Sequence, residues 1–492
     1  MRSNMNDFEA GICPLFINGN WNIPSSIPTE PVFNPSDGQV IARTPMCGPE
    51  EVDQAVRAAT DALPEWSKIP VVERARILFR YVHLLENHFD ELAQLVTREH
   101  GKTLEEARGS VRRGIEVVEF ACGGPTLLMG DSLNQISNGI DCDTIRQPVG
   151  VCAGITPFNF PAMVPMWMYP IAIVCGNTFI LKPSEKVPLT AIRLVELLHE
   201  AGLPSGVMNL VHGGVDVVNS LCTHPGIDAV SFVGSSPVAK HVYQTATAHG
   251  KRVQSAGGAK NYMIILPDAD PHFTVDALIS SVYGCAGERC MAGSVAIAVE
   301  EAGERVLPVL KEALNELRVG PTDRNNEVEM GPVVTREHLD RVHSYIDSGL
   351  GEGASLYRDG RNIKVEETPE GFYLGPTIFD NANTTMKIVR EEIFGPVLSV
   401  IRTKNLNHGI QACNQSGFGN AAVLFTGDGG AARTFKQEVN AGMVGINVGV
   451  PAPMAFFPFT GWNNSFFGDL HMQGKEGFAF YTRQKVTMTR WA

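Results

Sequence analysis

The amino-acid sequence predicts an α/β protein whose main part is a doubly wound parallel sheet. The first observation is a series of short apolar runs bounded by Gly or Pro, which is typical of buried strands; they lie at 150–156, 178–183, 207–213 and 227–234. The second is the helical spacing between them, clearest from Pro188 to His199, where apolar residues recur on one face. Such alternation builds parallel sheets that bind ligands at the carboxyl ends of their strands.

The rest of the chain predicts further elements and more than one domain. At 492 residues it exceeds what one hydrophobic core usually supports, so we expect two or three domains. Residues 49–60 and 71–100 have helical spacing, and a second strand–helix pattern runs from Tyr262 past Val444. Two stretches of alternating polar residues, 135–145 and 478–488, lie outside both blocks, and we expect them to pair with each other or with another subunit.

Composition excludes several classes of protein. The net charge of −13 is unlike that of a nucleic-acid-binding surface. The longest apolar stretch, 163–174, is too short to cross a bilayer and contains two prolines. The N-terminal residues MRSNMNDFEAG lack the apolar segment of a secretory leader. The ten cysteines lack paired spacing, which predicts free thiols. We therefore expect a cytoplasmic protein with neither nucleic acid nor membrane as a partner.

Two segments invite a nucleotide interpretation. Residues 417–422 match the pattern GxGxxA, but a helical pattern precedes them and a strand-like one follows. A dinucleotide fingerprint needs the reverse order, because the pyrophosphate lies at the N-terminus of the helix that follows. The segment FVGSS, 232–236, does follow a strand and open a helix, so it is the better candidate.

One cysteine lies in a setting that suits catalysis. Cys290, in YGCAGERCMA, has Arg289 beside it, and an adjacent cation lowers the pKa of a thiol. Most cysteines, however, are small buried hydrophobic residues, and Cys285 has a similar setting. The residues of this segment by themselves leave the choice open.

Further motifs decide the matter together. PFNFPAMVP (157–165) follows a strand, LKPSE (181–185) ends the next one, and EEIFGPV (391–397) occurs far downstream. In this order they resemble the aldehyde dehydrogenase superfamily across nearly the whole chain. Other matching segments are FINGNW (16–21), FNPSDGQVI (33–41), YLGPTIF (373–379) and residues 459–486.

The resemblance implies a fold and a division of the chain. An aldehyde dehydrogenase-like α/β fold would have a doubly wound NAD-binding domain made of residues 1–126 and 147–258. An α/β catalytic domain would occupy 259–456. Residues 127–146 and 457–492 would form an oligomerisation arm and a C-terminal strand. Members of the family are usually homodimers or homotetramers.

The resemblance also implies residue roles. Cys290 would be the nucleophile, and Asn159 with the backbone N–H of Cys290 would form the oxyanion hole. A carboxylate at Glu185 would bind the adenosine ribose and disfavour NADP relative to NAD. The other residues expected to bind NAD are Thr156, Phe158, Lys182, Lys186, Ser235, Glu392 and Phe394. No metal ion is expected.

One departure from the family pattern carries chemical information. The superfamily has a Glu upstream of the nucleophile that activates water for hydrolysis of the thioester, and this chain has Ala256 there. A thioester without that base needs another route of release, and attack by a second thiol needs no such base.

That departure indicates a subfamily. Residues 152–185, together with SFVGSSP, GAKNY, AGERCMA and residues 112–123, resemble the CoA-dependent methylmalonate-semialdehyde dehydrogenases. Such enzymes convert malonate or methylmalonate semialdehyde, NAD and coenzyme A to acetyl-CoA or propanoyl-CoA, CO2 and NADH. Their two substrate-carboxylate arginines correspond to Arg113 and Arg289, with Arg112 as the alternative to Arg113. Tyr262 and Thr156 stand where His and Ala would be expected.

Three alternatives are set against this interpretation. A hydrolytic dehydrogenase that releases a free acid is disfavoured by Ala256. A catalytically silent NAD-binding relative is disfavoured because Cys290, Asn159 and Glu392 are all retained. A metal-dependent dehydrogenase would need clustered Cys and His ligands. His338 and His343 are instead expected on the exposed face of a helix.

Overall fold

The computed structural model describes residues 11–491, so the N-terminal residues 1–10, on which the expectation about a leader rests, lie outside it. Two short turns, Ile279–Tyr283 and Gly284–Gly287, precede the segment that carries Cys290. The strands are β1 Leu15–Ile17, β2 Asn20–Asn22, β3 Thr29–Asn34, β4 Gln39–Pro45, β5 Ser132–Ser137, β6 Ile140–Pro148, β7 Val151–Ile155, β8 Thr178–Lys182, β9 Met208–Leu210, β10 Ala229–Val233, β11 Arg252–Ala256, β12 Asn261–Ile265, β13 Gly293–Val299, β14 Ser355–Arg358, β15 Thr377–Ala382, β16 Val397–Thr403, β17 Phe418–Gly419, β18 Ala421–Phe425, β19 Met443–Ile446, β20 Trp462–Asn463, β21 Phe466–Phe467 and β22 Thr482–Arg490. The helices are α1 Pro49–Lys68, α2 Val71–Asn87, α3 Phe89–His100, α4 Leu104–Cys122, α5 Gly124–Leu127, α6 Met163–Val174, α7 Leu189–Glu200, α8 Val215–Thr223, α9 Ser236–Ala248, α10 Pro271–Leu278, α11 Ala302–Glu316, α12 Arg336–Gly351, α13 Lys387–Arg390, α14 Leu406–Asn414, α15 Gly429–Glu438 and α16 Gly474–Phe480.

The first sheet confirms the predicted doubly wound architecture. Its order is β2-β1-β9-β8-β7-β10-β11-β21, and the five strands from β9 to β11 run parallel. The four predicted strands correspond to β7, β8, β9 and β10, each fully buried. The change of direction in strand order lies between β7 and β10, which is where ligands bind in such sheets.

A second sheet, ordered β14-β15-β16-β13-β12-β18-β19, is parallel except at β14. The break between the sheets lies between β11 and β12, beside the expected boundary at 258/259. The nucleophile segment leads directly into β13 in the middle of this second sheet, so Cys290 lies where the two sheets meet.

The long apolar stretch at 163–174 forms α6, which is buried on nearly every side, as expected of a helix that is apolar all round. It packs against α4, and Gly114 of α4 permits the approach, because a Cβ there would lie 2.2 Å from Cε of Met166. Within residues 11–491, no helix is both long and apolar enough to cross a membrane. The helical stretch at 71–100 divides at His88 into α2 and α3.

The two polar stretches pair with each other, which is one of the two expected arrangements. β22 pairs along its whole length with β6, and β5 pairs with β6, which gives a three-stranded sheet outside the two main ones. The expected strand at 478–488 begins too early, however. Residues 478–480 close α16 with buried aromatic side chains, and the strand starts at Thr482.

Candidate active site

The backbone around Cys290 is sharply bent and firmly held. Cys285 and Ala286 have left-handed φ values of 50° and 51°, an uncommon conformation for residues with a Cβ. The carbonyl oxygen of Cys290 accepts hydrogen bonds from the Nδ2 atoms of Asn261 (2.9 Å) and Asn420 (3.0 Å). These amides stand at β12 and β18, so the second sheet fixes the peptide that follows the thiol.

The segment 417–422 is no dinucleotide fingerprint. Helix α14 precedes it and β18 follows, which is the order that the sequence indicated. It contacts the site through the side-chain amide of Asn420, which donates to the carbonyl oxygen of Cys290.

The thiol of Cys290 is protonated at neutral pH in this arrangement. Burial raises its pKa to about 12, and the charge of Glu392 raises it further, whereas Arg289 lowers it only slightly. Arg289 thus lowers the pKa of Cys290 as expected, but it is the smallest of the contributions, because its guanidinium is bonded elsewhere. The Nε of Arg289 lies 3.2 Å from Sγ of Cys285, and its Nη2 forms an ion pair with Glu106 at 3.0 Å.

Cys285 and Cys290 differ in what surrounds them. Cys285 is 2% exposed, and burial raises the pKa of its thiol. Cys290 is half-buried and lines a cavity. An incoming aldehyde can therefore reach Cys290 through that cavity.

Asn159 follows β7 and is held on both sides. Its side-chain Nδ2 donates to the backbone carbonyl oxygen of Glu288 at 3.0 Å. Its backbone carbonyl oxygen accepts a hydrogen bond from Lys102 Nζ at 2.6 Å. Since Glu288 is two residues before Cys290, the amide lies beside the nucleophile segment. One of the two N–H groups of the amide makes the bond to Glu288, which leaves the second able to donate.

Five of the expected cofactor residues lie close together at the ends of β7 and β8. The backbone N–H of Thr156 donates to the carbonyl oxygen of Lys182, and Lys182 Nζ lies 3.1 Å from Glu185 Oε2. Burial raises the pKa of Glu185, but the charge and hydrogen bond of Lys182 outweigh it and leave the pKa lowered. Lys186 Nζ lies 5.5 Å from the ring centroid of Phe158.

Ser235 is the N-cap residue of α9, two residues after the end of β10, and its side chain makes no capping hydrogen bond. The next residue, Ser236, accepts the backbone N–H of Gly258 on its Oγ at 2.9 Å. The helix N-terminus at Ser235 therefore opens toward the carboxyl ends of the central strands, where its N–H groups and dipole favour an anion.

Glu392 lies against the turn between β11 and β12. Its Oε1 accepts the N–H of Ala259 at 2.8 Å, and a Cβ at Gly258 would lie 2.2 Å from its Oε2. Burial raises the pKa of Glu392 to about 7 and lowers that of nearby Lys260 to about 7. The Nζ of Lys260 is buried and has no hydrogen-bond partner among the described residues.

Phe394 has a left-handed φ of 62°, and its ring packs edge-on against Phe158 at 5.7 Å between centroids. Its carbonyl oxygen accepts from Nε2 of His338 at 2.7 Å. The segments around Asn159 and Glu392 thus meet at these two rings.

The cavity beside Cys290 is mainly apolar, with Arg113, Glu116 and Arg289 as its charged residues. Arg113 Nη1 contacts the carbonyl oxygen of Pro453 (3.3 Å) and Sδ of Met454 (3.1 Å). Arg112 instead forms an ion pair with Glu86 at the surface. The other residues of the wall are Phe160, Met163, Trp167, Met291, Val450, Ala452, Pro453, Ala455, Phe459 and Gln473.

Sequence reasoning missed a buried polar cluster under the site. Glu288 lies 3.5 Å from His338 and 3.8 Å from His100, and burial raises the pKa of Glu288 to about 8. The expectation that His338 is a surface residue is wrong, since it is 8% exposed. It shares the buried face of α12 with Val342 and Tyr345, so the helical spacing could have revealed it.

A family model described as the aldehyde dehydrogenase family matches residues 21–487. The chain belongs to the aldehyde dehydrogenase family. A malonate-semialdehyde dehydrogenase of Halalkalibacterium halodurans is 53% identical over 476 residues, which cover 97% of this chain and 98% of that protein. Malonate-semialdehyde dehydrogenase 2 of Geobacillus kaustophilus has the same identity and coverage.

Solved structures of the family agree with the fold. The methylmalonate-semialdehyde dehydrogenase of Oceanimonas doudoroffii has a TM-score of 0.96 at 45% identity, with 98% of this chain and 99% of that chain covered. A provisionally assigned methylmalonate-semialdehyde dehydrogenase of Sinorhizobium meliloti, complexed with NAD, has a TM-score of 0.96 at 46% identity, with 100% and 99% covered.

In this aldehyde dehydrogenase, Ala256 is the last residue of β11. Ala256 is buried, and its carbonyl oxygen accepts the N–H of Gly234. A methyl group here can neither accept a proton nor orient water. The chain thus keeps the fold of the family while position 256 lacks an acid–base group.

Proposed function

We propose that this protein is an NAD-dependent, CoA-acylating dehydrogenase of malonate and methylmalonate semialdehydes. The observation that carries the proposal is a cysteine in a cavity with two arginines, in a chain with Ala256 at the position of the hydrolytic base. The malonate- and methylmalonate-semialdehyde dehydrogenases that the chain resembles along its length support it further.

Substrate binding would follow from the charges of the cavity. The carboxylate of the semialdehyde would bind Arg113 and Arg289, since guanidinium groups form bidentate hydrogen bonds with carboxylates. The apolar wall would enclose the short carbon chain. This arrangement would hold the aldehyde carbon against Sγ of Cys290.

Cys290 would add to the aldehyde carbon, and the proton of its thiol would pass to solvent as the new bond forms. The side-chain N–H of Asn159 and the backbone N–H of Cys290 would stabilise the oxyanion. NAD, when bound, accepts the hydride that converts the adduct to a thioester. The arginines would keep the substrate's carboxylate away from the reacting carbon throughout.

The residues present fit NAD by their donor and acceptor chemistry. Glu185, whose lowered pKa keeps it ionised, would accept the hydroxyl groups of the adenosine ribose and repel a 2′-phosphate. The N-terminus at Ser235 would hold the pyrophosphate. Glu392 would accept from the second ribose, with the other binding residues being Thr156, Phe158, Lys182, Lys186 and Phe394.

The thioester on Cys290 would be released by the thiol of coenzyme A. Loss of CO2 from an acyl group with its carboxylate β to the thioester carbonyl is chemically accessible, because the electron pair passes into an enolate. Water is the competing acceptor, and the methyl group of Ala256 gives it no base.

The test is a single assay with its internal control. Purified protein is given malonate or methylmalonate semialdehyde with NAD, with and without coenzyme A, and NADH, CO2 and acyl-CoA are measured. We expect one acyl-CoA and one CO2 per NADH, and little NADH beyond the first turnover without coenzyme A. Free acid formed at full rate without coenzyme A would instead identify the hydrolytic alternative, and no NADH at all a silent NAD-binding relative.

We also propose that the protein is a homo-oligomer, a dimer or tetramer. It would assemble through the three-stranded sheet of β5, β6 and β22, which we call the outer sheet. Residues 127–146 and 457–492 would form this arm, with NAD bound by 1–126 and 147–258 and catalysis in 259–456. In support, the outer sheet exposes apolar side chains: Leu133, Ile136, Ile145, Val486, Met488 and Trp491. Replacing Val486 and Met488 by Asp should lower the mass measured by light scattering.

The ten free thiols support the reducing cytoplasm as the location.

A further inference from the structure

The catalytic steps proposed above give no role to the carboxylate of Glu116. It lies on α4 one turn after Arg113, and both side chains line the cavity beside Cys290. Its Oε2 atom is buried and has no hydrogen-bond partner in the described part of the chain. Glu119, which follows Glu116 by about one turn of the same helix, is exposed instead.

Burying a carboxylate oxygen without a donor is unfavourable, and a simple structural role does not explain it. The surrounding wall offers little compensation, because its neighbours are largely aromatic and aliphatic. Arg289 is already paired with Glu106, and Arg113 contacts Pro453 and Met454. Glu116 thus faces the space in which a bound acyl group would lie.

We propose that Glu116 donates the proton that replaces CO2 on the α-carbon of the acyl group, an inference that rests on the proposed function. A substrate carboxylate on Arg113 lies close to Glu116, because the two residues are one helical turn apart. The substrate carboxylate would bind the two arginines as an anion, and its like charge beside Glu116 favours the neutral acid form of Glu116 in the complex. Substrate binding itself therefore loads Glu116 with the proton that it later transfers.

The step balances without any further reactant. The bond between the α-carbon and the carboxylate breaks, CO2 leaves, and the electron pair enters the thioester as an enolate. The proton of Glu116 then forms the new C–H bond, which restores the carbonyl and leaves Glu116 ionised. Solvent supplies the following proton when the next substrate binds. Because Glu116 occupies one wall, the proton arrives on one face of the enolate.

The test uses this facial preference. The enzyme converts methylmalonate semialdehyde in D2O with NAD and coenzyme A, and the configuration at C2 of the deuterated propanoyl group is measured. We expect wild type to give one enantiomer in excess and Glu116→Gln to give both, with propanoyl-CoA formed about tenfold more slowly or worse. Oxidation of propanal, which has no carboxylate to lose, should change less than about twofold.

Matched variants make the outcomes distinct. Glu119→Gln, on the same helix but exposed, should behave as wild type, and Glu116→Asp should retain part of the enantiomeric excess. A uniform product from Glu116→Gln overturns the role of Glu116, as does an equal loss with propanal and semialdehyde. If wild type forms no acyl-CoA, the proposed function fails, and the inference fails with it.

Discussion

On one side of Cys290, which we call the cofactor side, charged and polar residues stand where strands of the first sheet end: Lys182 and Glu185 after β8, and Ser235 after β10. On the other, the cavity side, Arg113 and Glu116 come from the middle of a helix and Arg289 from a bent loop. The cofactor side has a closed ion pair, whereas on the cavity side the Oε2 atom of Glu116 has no hydrogen-bond partner among the described residues. The comparison teaches that the charged groups of the cofactor side are paired within the chain, while the cavity side keeps one carboxylate oxygen unpaired.

The largest effect should come from the residue between the two sides. Cys290→Ala should reduce NADH formation by at least about a thousandfold, because covalent catalysis is lost. The matched variant Cys285→Ala should remain within about tenfold of wild type, since its thiol is buried away from the cavity. Steady-state NADH production, with circular dichroism as a check on folding, measures both. Full activity in Cys290→Ala would move the nucleophile to Cys285.

The second-largest effect on activity should come from substitutions on the cavity side. Arg113→Ala should lower kcat/KM for malonate semialdehyde about a hundredfold and leave propanal nearly unchanged, because hydrogen bonds to charged groups contribute about 1.5–3 kcal/mol each. Arg112→Ala should have little effect, as its ion pair with Glu86 is largely exposed. The two substrates, compared in each variant, make the measurement. Equal losses with both would contradict carboxylate binding by Arg113.

The cofactor side should respond less and differently. Glu185→Gln should raise KM for NAD about tenfold and narrow the preference for NAD over NADP, because the group that repels a 2′-phosphate loses its charge. Glu200→Gln, at the exposed end of α7, is the control. Initial rates at varied NAD and NADP measure the ratio. An unchanged ratio would remove Glu185 from cofactor selection.

The smallest effect concerns the thiol in the free enzyme. Burial raises the pKa of Cys290 to about 12, so its alkylation by iodoacetamide should increase about tenfold per pH unit from pH 7 to 9. Glu392, with a pKa near 7, is ionised above that pH and then opposes the thiolate. Glu392→Gln should therefore react a few-fold faster at pH 8 and like wild type below pH 6. Coincident rates at both pH values would contradict this coupling.

The cofactor side could be predicted from the sequence because local rules position it. Strands of Val, Ile and Leu bounded by Gly and Pro put Lys182 and Ser235 at one edge of the sheet, whatever the rest of the chain does. The two polar stretches could be predicted as strands because their side chains alternate, although β5 is exposed along its whole length and β22 along most of its own.

The cavity side depends on packing between distant segments. The choice between Arg112 and Arg113 follows from the rotation of α4 against α6, and Glu116 acquires meaning only through that rotation. The direction of Arg289 was missed because adjacency in sequence says nothing about where a long side chain points. His338 was wrongly expected to be exposed. It lies on the face of its helix that carries the buried apolar residues.

The two amides that bind the carbonyl oxygen of Cys290 have a mechanical consequence. Asn261 and Asn420 anchor that peptide to two strands, so the loop cannot advance toward a substrate. The sulfur can change position mainly by rotation about χ1, a motion that takes picoseconds to nanoseconds rather than the microseconds of loop movement. An enzyme built in this way would move one atom between resting and attacking positions while its backbone N–H stays aimed at the oxyanion.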